Sequence, residues 1–145
     1  MNPLLTVIFL FPFLLFATPT WAKAKLNPVV QKYLVDLQAQ AKKEDPSFQF
    51  FSIEGGQKLY EKEFFHSKKH EKRSCHSCHT VDPKKTGSHA DTGKKIKPLA
   101  PVANSKRFTK KKKIKKWFKR NCQWVMERKC TAKEKGDFLV WIYSK

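Results

Sequence analysis

The chain has 145 residues, which suits one domain, and it shows no internal repeat. Lysine and arginine number 31 against 12 acidic residues, for a formal net charge of +19. Such a field favours acidic partners or anionic surfaces and decides nothing about fold; no nucleic-acid motif accompanies it, so nucleic acid is set aside as a partner.

In chain order, the first 22 residues carry no charged side chain, and their apolar stretch runs from Leu4 to about Ala17. That is short of the roughly 20 apolar residues a membrane span needs. The stretch ends in small residues that allow cleavage after Ala22 or Ala24, so residues 1–22 read as a signal peptide. Lys23 and Lys25 follow the apolar run and none precedes it, which by the positive-inside rule alone would keep the body in the cytoplasm. A retained segment would leave the protein membrane-associated.

The mature part is helical in pattern, with no alternating strand. Asn27-Pro28 reads as an N-cap followed by proline at the first helical position. Val30, Leu34, Leu37 and Ala41 then share a face, and Glu44-Asp45-Pro46 ends the segment. A second short helix starts at Ser52, with Gly56, Tyr60 and Phe64 on one stripe and Leu59 beside them. From His66 to Pro101 the chain reads as loop, rich in His, Lys, Pro and Gly. A loop of roughly 35 residues packs poorly on itself and becomes reasonable when it wraps a large flat cofactor. Ile114, Trp117, Phe118, Asn121 and Val125 mark a third helix, whose lysines are mostly solvated. Thr131 with Glu134 is a capping box opening the last helix, where Phe138, Leu139 and Ile142 share a face. The expected fold class is all-α.

The loop contains Cys75-His76-Ser77-Cys78-His79. Cys-x-x-Cys-His is the spacing used for covalent haem. Two thiols a turn apart each add to a vinyl group, and the adjacent His79 supplies a neutral imidazole as proximal ligand. Attachment of this kind takes place outside the cytoplasmic membrane, which outweighs the charge asymmetry around the apolar run and predicts a periplasmic protein. In an exported protein the remaining pair, Cys122 and Cys130, is a natural disulfide. Closing that loop of about nine residues stabilises by roughly 2.5 kcal/mol on loop-entropy grounds.

Two rivals compete for the motif. A thioredoxin-like dithiol needs a strand–helix junction in a βαβ unit, which this pattern lacks. A zinc-binding structural module would recruit Cys75 and Cys78 with two of His66, His70, His76, His79 and His89. Haem accounts for the motif, the small helical body and the wrapping loop together. The sixth ligand stays open on these grounds. Met126 lies within the third helix, where packing is its ordinary role, and His89 is a loop residue ten positions beyond His79. Either would make a plain electron-transfer cytochrome.

Gly87-Ser88-His89, Thr92-Gly93-Lys94, Pro98-Leu99-Ala100-Pro101, Asn104 and Arg107-Phe108-Thr109 follow in order. After them come Lys116-Trp117-Phe118, Arg120-Asn121-Cys122 and Cys130-Thr131-Ala132-Lys133-Glu134-Lys135-Gly136. This series, spanning roughly residues 54 to 143, resembles the sphaeroides haem protein family of class I cytochromes c. The resemblance implies a small helical fold around one covalent haem c. It also implies Asn104 as a sixth ligand and a Cys122–Cys130 disulfide. Members of that family are high-spin, and the asparagine leaves the iron on reduction so that oxygen, nitric oxide or carbon monoxide can bind. Their redox partners include a dihaem cytochrome c and a membrane b-type cytochrome. The chain departs from the pattern at Ser105, where proline is expected, and at the basic run Lys110-Lys111-Lys112. It departs also at Trp124, whose bulk would narrow gas access if it lines the distal pocket.

An amide oxygen is a hard, neutral, weak ligand, better suited to ferric than to ferrous iron. Asparagine after a proline also commonly serves only to cap or turn a loop. The expected organisation is a signal peptide over 1–22, an N-terminal helical extension over 23–51 and a haem domain over 52–145.

Overall fold

A computed structural model describes residues 26–145. The signal segment and its cleavage site lie outside the described residues. Among the described residues five helices carry the fold: α1 Pro28–Glu44, α2 Ile53–Glu61, the one-turn α3 His76–His79, α4 Lys111–Met126 and α5 Ala132–Tyr143. None is long and apolar enough to cross a membrane.

The caps explain why the helices begin where they do. Asn27 accepts from the Val30 N–H at 3.0 Å, Ser52 from the Gly55 N–H at 2.8 Å, and Thr131 from the Glu134 N–H at 3.1 Å. Glu134 returns the favour to the Thr131 N–H, completing the box and satisfying two donors that the first turn otherwise orphans. Helix α4 starts without a side-chain cap, at Lys110, and ends on Glu127 in the left-handed region at φ 54°. The Glu127 carboxylate holds that ending by accepting from the Ser67 N–H at 2.8 Å and the Ser67 hydroxyl at 2.9 Å.

Two apolar clusters form the core. Val30, Leu37 and Ala41 of α1 pack with Phe48, Phe51, Ile114, Ala132 and Leu139. Tyr60 of α2 packs with Leu99, Ala100 and with Phe138, Trp141 and Ile142 of α5. Tyr33 joins the buried face of α1, while Leu34 is only half-buried. Helix α1 is tied on at both ends. Asn27 Nδ2 donates to the Tyr143 hydroxyl at 2.5 Å, and Glu44 accepts from the Ala132 N–H at 2.8 Å, capping α5 from outside.

The stretch read as loop contains two small antiparallel ladders. β1 Phe64–His66 pairs with β2 Glu71–Arg73, placing Phe64 opposite Arg73; β3 Gly87–Ser88 pairs with β4 Lys95–Ile96, placing Gly87 opposite Ile96. Phe64 therefore belongs to a strand and not to the α2 stripe. Strands of two or three residues are too short for alternation to show in a sequence. The all-α fold class stands around them.

Helices α2 and α5 cross with their backbones in close approach. A Cβ added at Gly56 would lie 2.2 Å from the Asp137 carbonyl oxygen and 2.4 Å from Trp141 Cβ. Backbone cannot yield as a side chain tip can, so Gly56→Ala is expected to cost about 3 kcal/mol through overpacking. Urea unfolding of the holoprotein checks this; a loss below about 1 kcal/mol would mean that the crossing relaxes.

Candidate functional site

The motif residues sit on α3, between the strand β2 and the loop that returns through β3. The Ser77 hydroxyl accepts from the Ser74 N–H at 2.9 Å, and Ser74 is itself buried. The turn then closes with the His79 N–H on the Cys75 carbonyl at 3.3 Å. Thr80 ends it at φ 63°, an uncommon conformation for a β-branched residue. Two contacts hold it there: Tyr60 donates its hydroxyl to the Thr80 carbonyl at 2.6 Å, and the Thr80 hydroxyl donates to the Asp82 carbonyl at 2.8 Å. On the other side, β3 lies backbone to backbone against α3. A Cβ at Gly87 would fall 2.0 Å from the Cys78 carbonyl oxygen.

The donor set fits covalent haem better than it fits its rivals. Cys75 and Cys78 are free thiols one helical turn apart. Cys75 packs against the second apolar cluster, and burial pushes its thiol up to about 12. So held, the thiol is protonated at neutral pH and is not an activated redox nucleophile, a role that needs the thiolate. Burial, helped by the Arg107 charge, pushes His79 down to about 4, so its imidazole is neutral with a free lone pair. That is the form a haem iron takes as proximal ligand.

The other histidines are dispersed. His66 is buried 3.5 Å from Glu127, His70 is exposed at the β1–β2 turn, and His76 faces the Glu61 carbonyl at 3.3 Å. His89 lies in the β3–β4 hairpin, its Nδ1 accepting from the Asp91 N–H at 3.3 Å. Among the described residues no cluster of three or more His, Cys, Asp or Glu is gathered to hold a metal. Met126 occupies the last turn of α4 and is half-buried.

Asn104 lies in the turn that follows Pro98-Leu99-Ala100-Pro101. Its backbone N–H donates to the Ala100 carbonyl at 3.0 Å, and its side-chain Nδ2 donates to the Pro98 carbonyl at 3.1 Å. Leu99 and Ala100 are pinned in turn by donating their N–H groups to the Pro83 carbonyl at 2.8 and 2.9 Å. With Nδ2 committed, Oδ1 is the atom left over. Cys122 and Cys130 are joined by a disulfide with Cα atoms 5.6 Å apart, linking the end of α4 to the start of α5.

A buried cation escaped the sequence reading. Arg73 is 2 % exposed, two residues before Cys75. Its guanidinium stacks 3.7 Å from the Trp124 ring centre and donates to Glu71 at 2.6 Å, to Asp91 at 3.3 Å and to the Trp124 carbonyl at 3.4 Å. Trp124 completes the clasp by donating Nε1 to Asp91 at 3.1 Å. The bulk of Trp124 is thus committed to this cluster. Asp91 is held below the usual carboxylate range by that indole bond first and by the Arg73 charge as well. In a chain with 31 basic residues, nothing local distinguishes the one that folding buries.

Trp124→Phe keeps the stacking plane and loses the bond to Asp91, at an expected cost of about 1 kcal/mol. Trp124→Ala strips the platform from a buried guanidinium and should cost about 3 kcal/mol or more. Chemical unfolding of both variants tests the ordering; equal losses would show that the stack contributes nothing.

The chain is similar to known proteins in both sequence and fold. A family model described as a domain of unknown function, DUF1924, matches residues 46–142. The cytochrome c-type protein SHP of Cereibacter sphaeroides is 46% identical over 69 residues, covering 48% of this chain and 53% of the relative. The match thus spans about half of that relative's length. Cytochrome c'' of Methylophilus methylotrophus is 33% identical over 101 residues, 70% of this chain and 69% of the relative. The structure of oxidized SHP, described as an oxygen binding cytochrome c, superposes with a TM-score of 0.68 at 31% identity, covering 80% of this chain and 96% of that one. The solution structure of cytochrome c'', described as giving insights into haem-ligand detachment, superposes at 0.72 and 29% identity, covering 80% and 93%.

Proposed function

This chain belongs to the SHP-type cytochrome c family (DUF1924) and carries one covalent haem c, and from that premise we propose that it is an exported cytochrome that accepts an electron and takes up a diatomic gas when reduced. In this reading Cys75 and Cys78 anchor the haem and His79 is the proximal ligand. Asn104 is the displaceable distal ligand. When bound, the haem supplies the redox change and the coordination position; the rest is the work of the chain's own residues.

The observation that carries the proposal is the setting of Asn104. Its amide nitrogen is spent on the Pro98 carbonyl, which orients Oδ1 as a neutral donor on a turn whose Arg107 is close enough to His79 for charge to act between them. A hard, neutral oxygen holds ferric iron better than ferrous, so reduction weakens the only bond this residue offers there. Oxygen binding in SHP and haem-ligand detachment in cytochrome c'' support the two halves of the idea.

The electron is supplied by an acidic redox partner, of the dihaem cytochrome c or membrane b-type cytochrome kind. Helix α4 carries Lys111, Lys112, Lys113, Lys115, Lys116, Lys119 and Arg120 with no acidic residue, and it exposes Trp117 at 48 %. Such a surface steers association with an acidic partner and loses that advantage as ionic strength rises.

The spectra decide between the readings. The Soret band should survive acid–acetone extraction in the parent and be lost from it in a Cys75→Ala/Cys78→Ala variant. Carbon monoxide should change the ferrous spectrum, and Asn104→Ala should change the ferric one. A ferrous spectrum already low-spin and indifferent to carbon monoxide would leave only a plain electron carrier. That carrier would hold a permanent ligand such as His89 or Met126.

A further inference from the structure

Asn104 shares its acceptor with a second side chain. Arg107 Nε donates to the same Pro98 carbonyl at 2.9 Å, and Arg107 Nη2 donates to the Lys97 carbonyl at 2.6 Å. The guanidinium thus grips two consecutive carbonyls with its rigid fork, which a lysine could not reproduce. The Arg107 N–H also donates to the Asn104 carbonyl at 3.0 Å, so the two residues are joined through backbone and side chain alike. Half-buried, Arg107 gives up solvent to make these bonds.

The sharing fixes the sense of the Asn104 amide. A carbonyl oxygen has two lone pairs and can serve both donors. The Asn104 atom facing it must be the NH2, and Oδ1 must face the other way. Were the Pro98 carbonyl free to rotate, the amide could flip and present its NH2 where a ligand atom is needed. An NH2 group has no lone pair to give. Leu99 and Ala100 are held by Pro83, but the carbonyls of 97 and 98 are held by Arg107.

We infer that Arg107 is a positioning residue for the displaceable ligand: by clamping the Pro98 carbonyl it orients Asn104 Oδ1 and sets how readily Asn104 lets go. The inference rests on Asn104 being the distal ligand. Supporting partners of metal ligands commonly matter by tens-fold in affinity or rate without touching the metal. Arg107 acts here in that manner, and its charge is felt as far as His79.

The test uses four holoproteins: Arg107→Gln, Arg107→Lys, Asn104→Ala and the Asn104→Ala/Arg107→Gln double variant. Three quantities are read: the ferric absorption and electron paramagnetic resonance spectra, the rate at which cyanide enters the ferric protein, and the thermal unfolding midpoint. Arg107→Gln should shift the ferric spectrum towards that of Asn104→Ala and speed cyanide entry about tenfold. Arg107→Lys, keeping charge and one donor, should fall between parent and glutamine variant. On the Asn104→Ala background the glutamine substitution should add nothing, because the residue it acts through is gone. A lowered unfolding midpoint with unchanged spectrum and cyanide rate would make Arg107 a purely structural brace and overturn the inference. So would an equal acceleration on the Asn104→Ala background. If Asn104→Ala itself matches the parent in spectrum and rate, the ligand assignment fails instead, and the two failures are separately visible.

Discussion

Where α2 crosses α5, Gly56 lies against the Asp137 backbone with no room for a methyl group, and everything around the attachment turn depends on that contact. Asp137, 4 % exposed, ties the crossing by accepting from the Ser52 N–H at 2.8 Å and from Lys133 at 2.5 Å. One turn along each helix, Tyr60 and Trp141 stack with ring centres 4.5 Å apart. From there the Tyr60 hydroxyl reaches the Thr80 carbonyl and holds the residue after His79 in its left-handed conformation. A backbone-to-backbone helix crossing is thereby transmitted, through one phenol, to the position of the His79 imidazole.

The two faces of the site are built by different means. Around His79 the restraints are apolar packing and backbone hydrogen bonds, which favour a fixed, neutral, desolvated ring. Around Asn104 they are side-chain bonds to the carbonyls at 97 and 98 and a backbone bond to that at 100, on a turn anchored to Pro83. That contrast is in keeping with the proposed division between one permanent ligand and one exchangeable ligand. The Arg73–Asp91–Trp124 clasp adds a third fixture. It joins the strand leading into Cys75 to the β3–β4 hairpin, whose Ala90 N–H reaches Cys78 Sγ at 3.3 Å, and to the end of α4 beside the disulfide. A buried guanidinium is tolerable here because each of its nitrogens has an acceptor and its face is covered by an indole.

Helix α1 shows that the packed body begins before the segment matched by the family model. It precedes the matched segment at residues 46–142, yet Val30, Leu37 and Ala41 are among the most buried side chains of the molecule. Its Asn27 and Glu44 reach Tyr143 and the first turn of α5. Without it, the apolar face formed by Phe51, Ile114 and Leu139 would lose its cover.

By itself the sequence determined what is local. Helical periodicity, the caps at Asn27, Ser52 and Thr131, the break at Pro46 and the five-residue haem motif all depend on neighbours within a few positions, and all can be read from the chain. The tertiary structure alone decided what depends on distant partners. The burial of Arg73 needs Trp124 fifty-one positions away and Asp91 eighteen away. The short ladders are set by hydrogen bonds that no alternation announces. The significance of Arg107, visible in the sequence only as part of a family-like run, comes from the carbonyls of residues 97 and 98 folding back onto it. Local rules describe one residue's preferences; a site is made where several segments satisfy one another's donors and acceptors, and that accounting closes only in three dimensions.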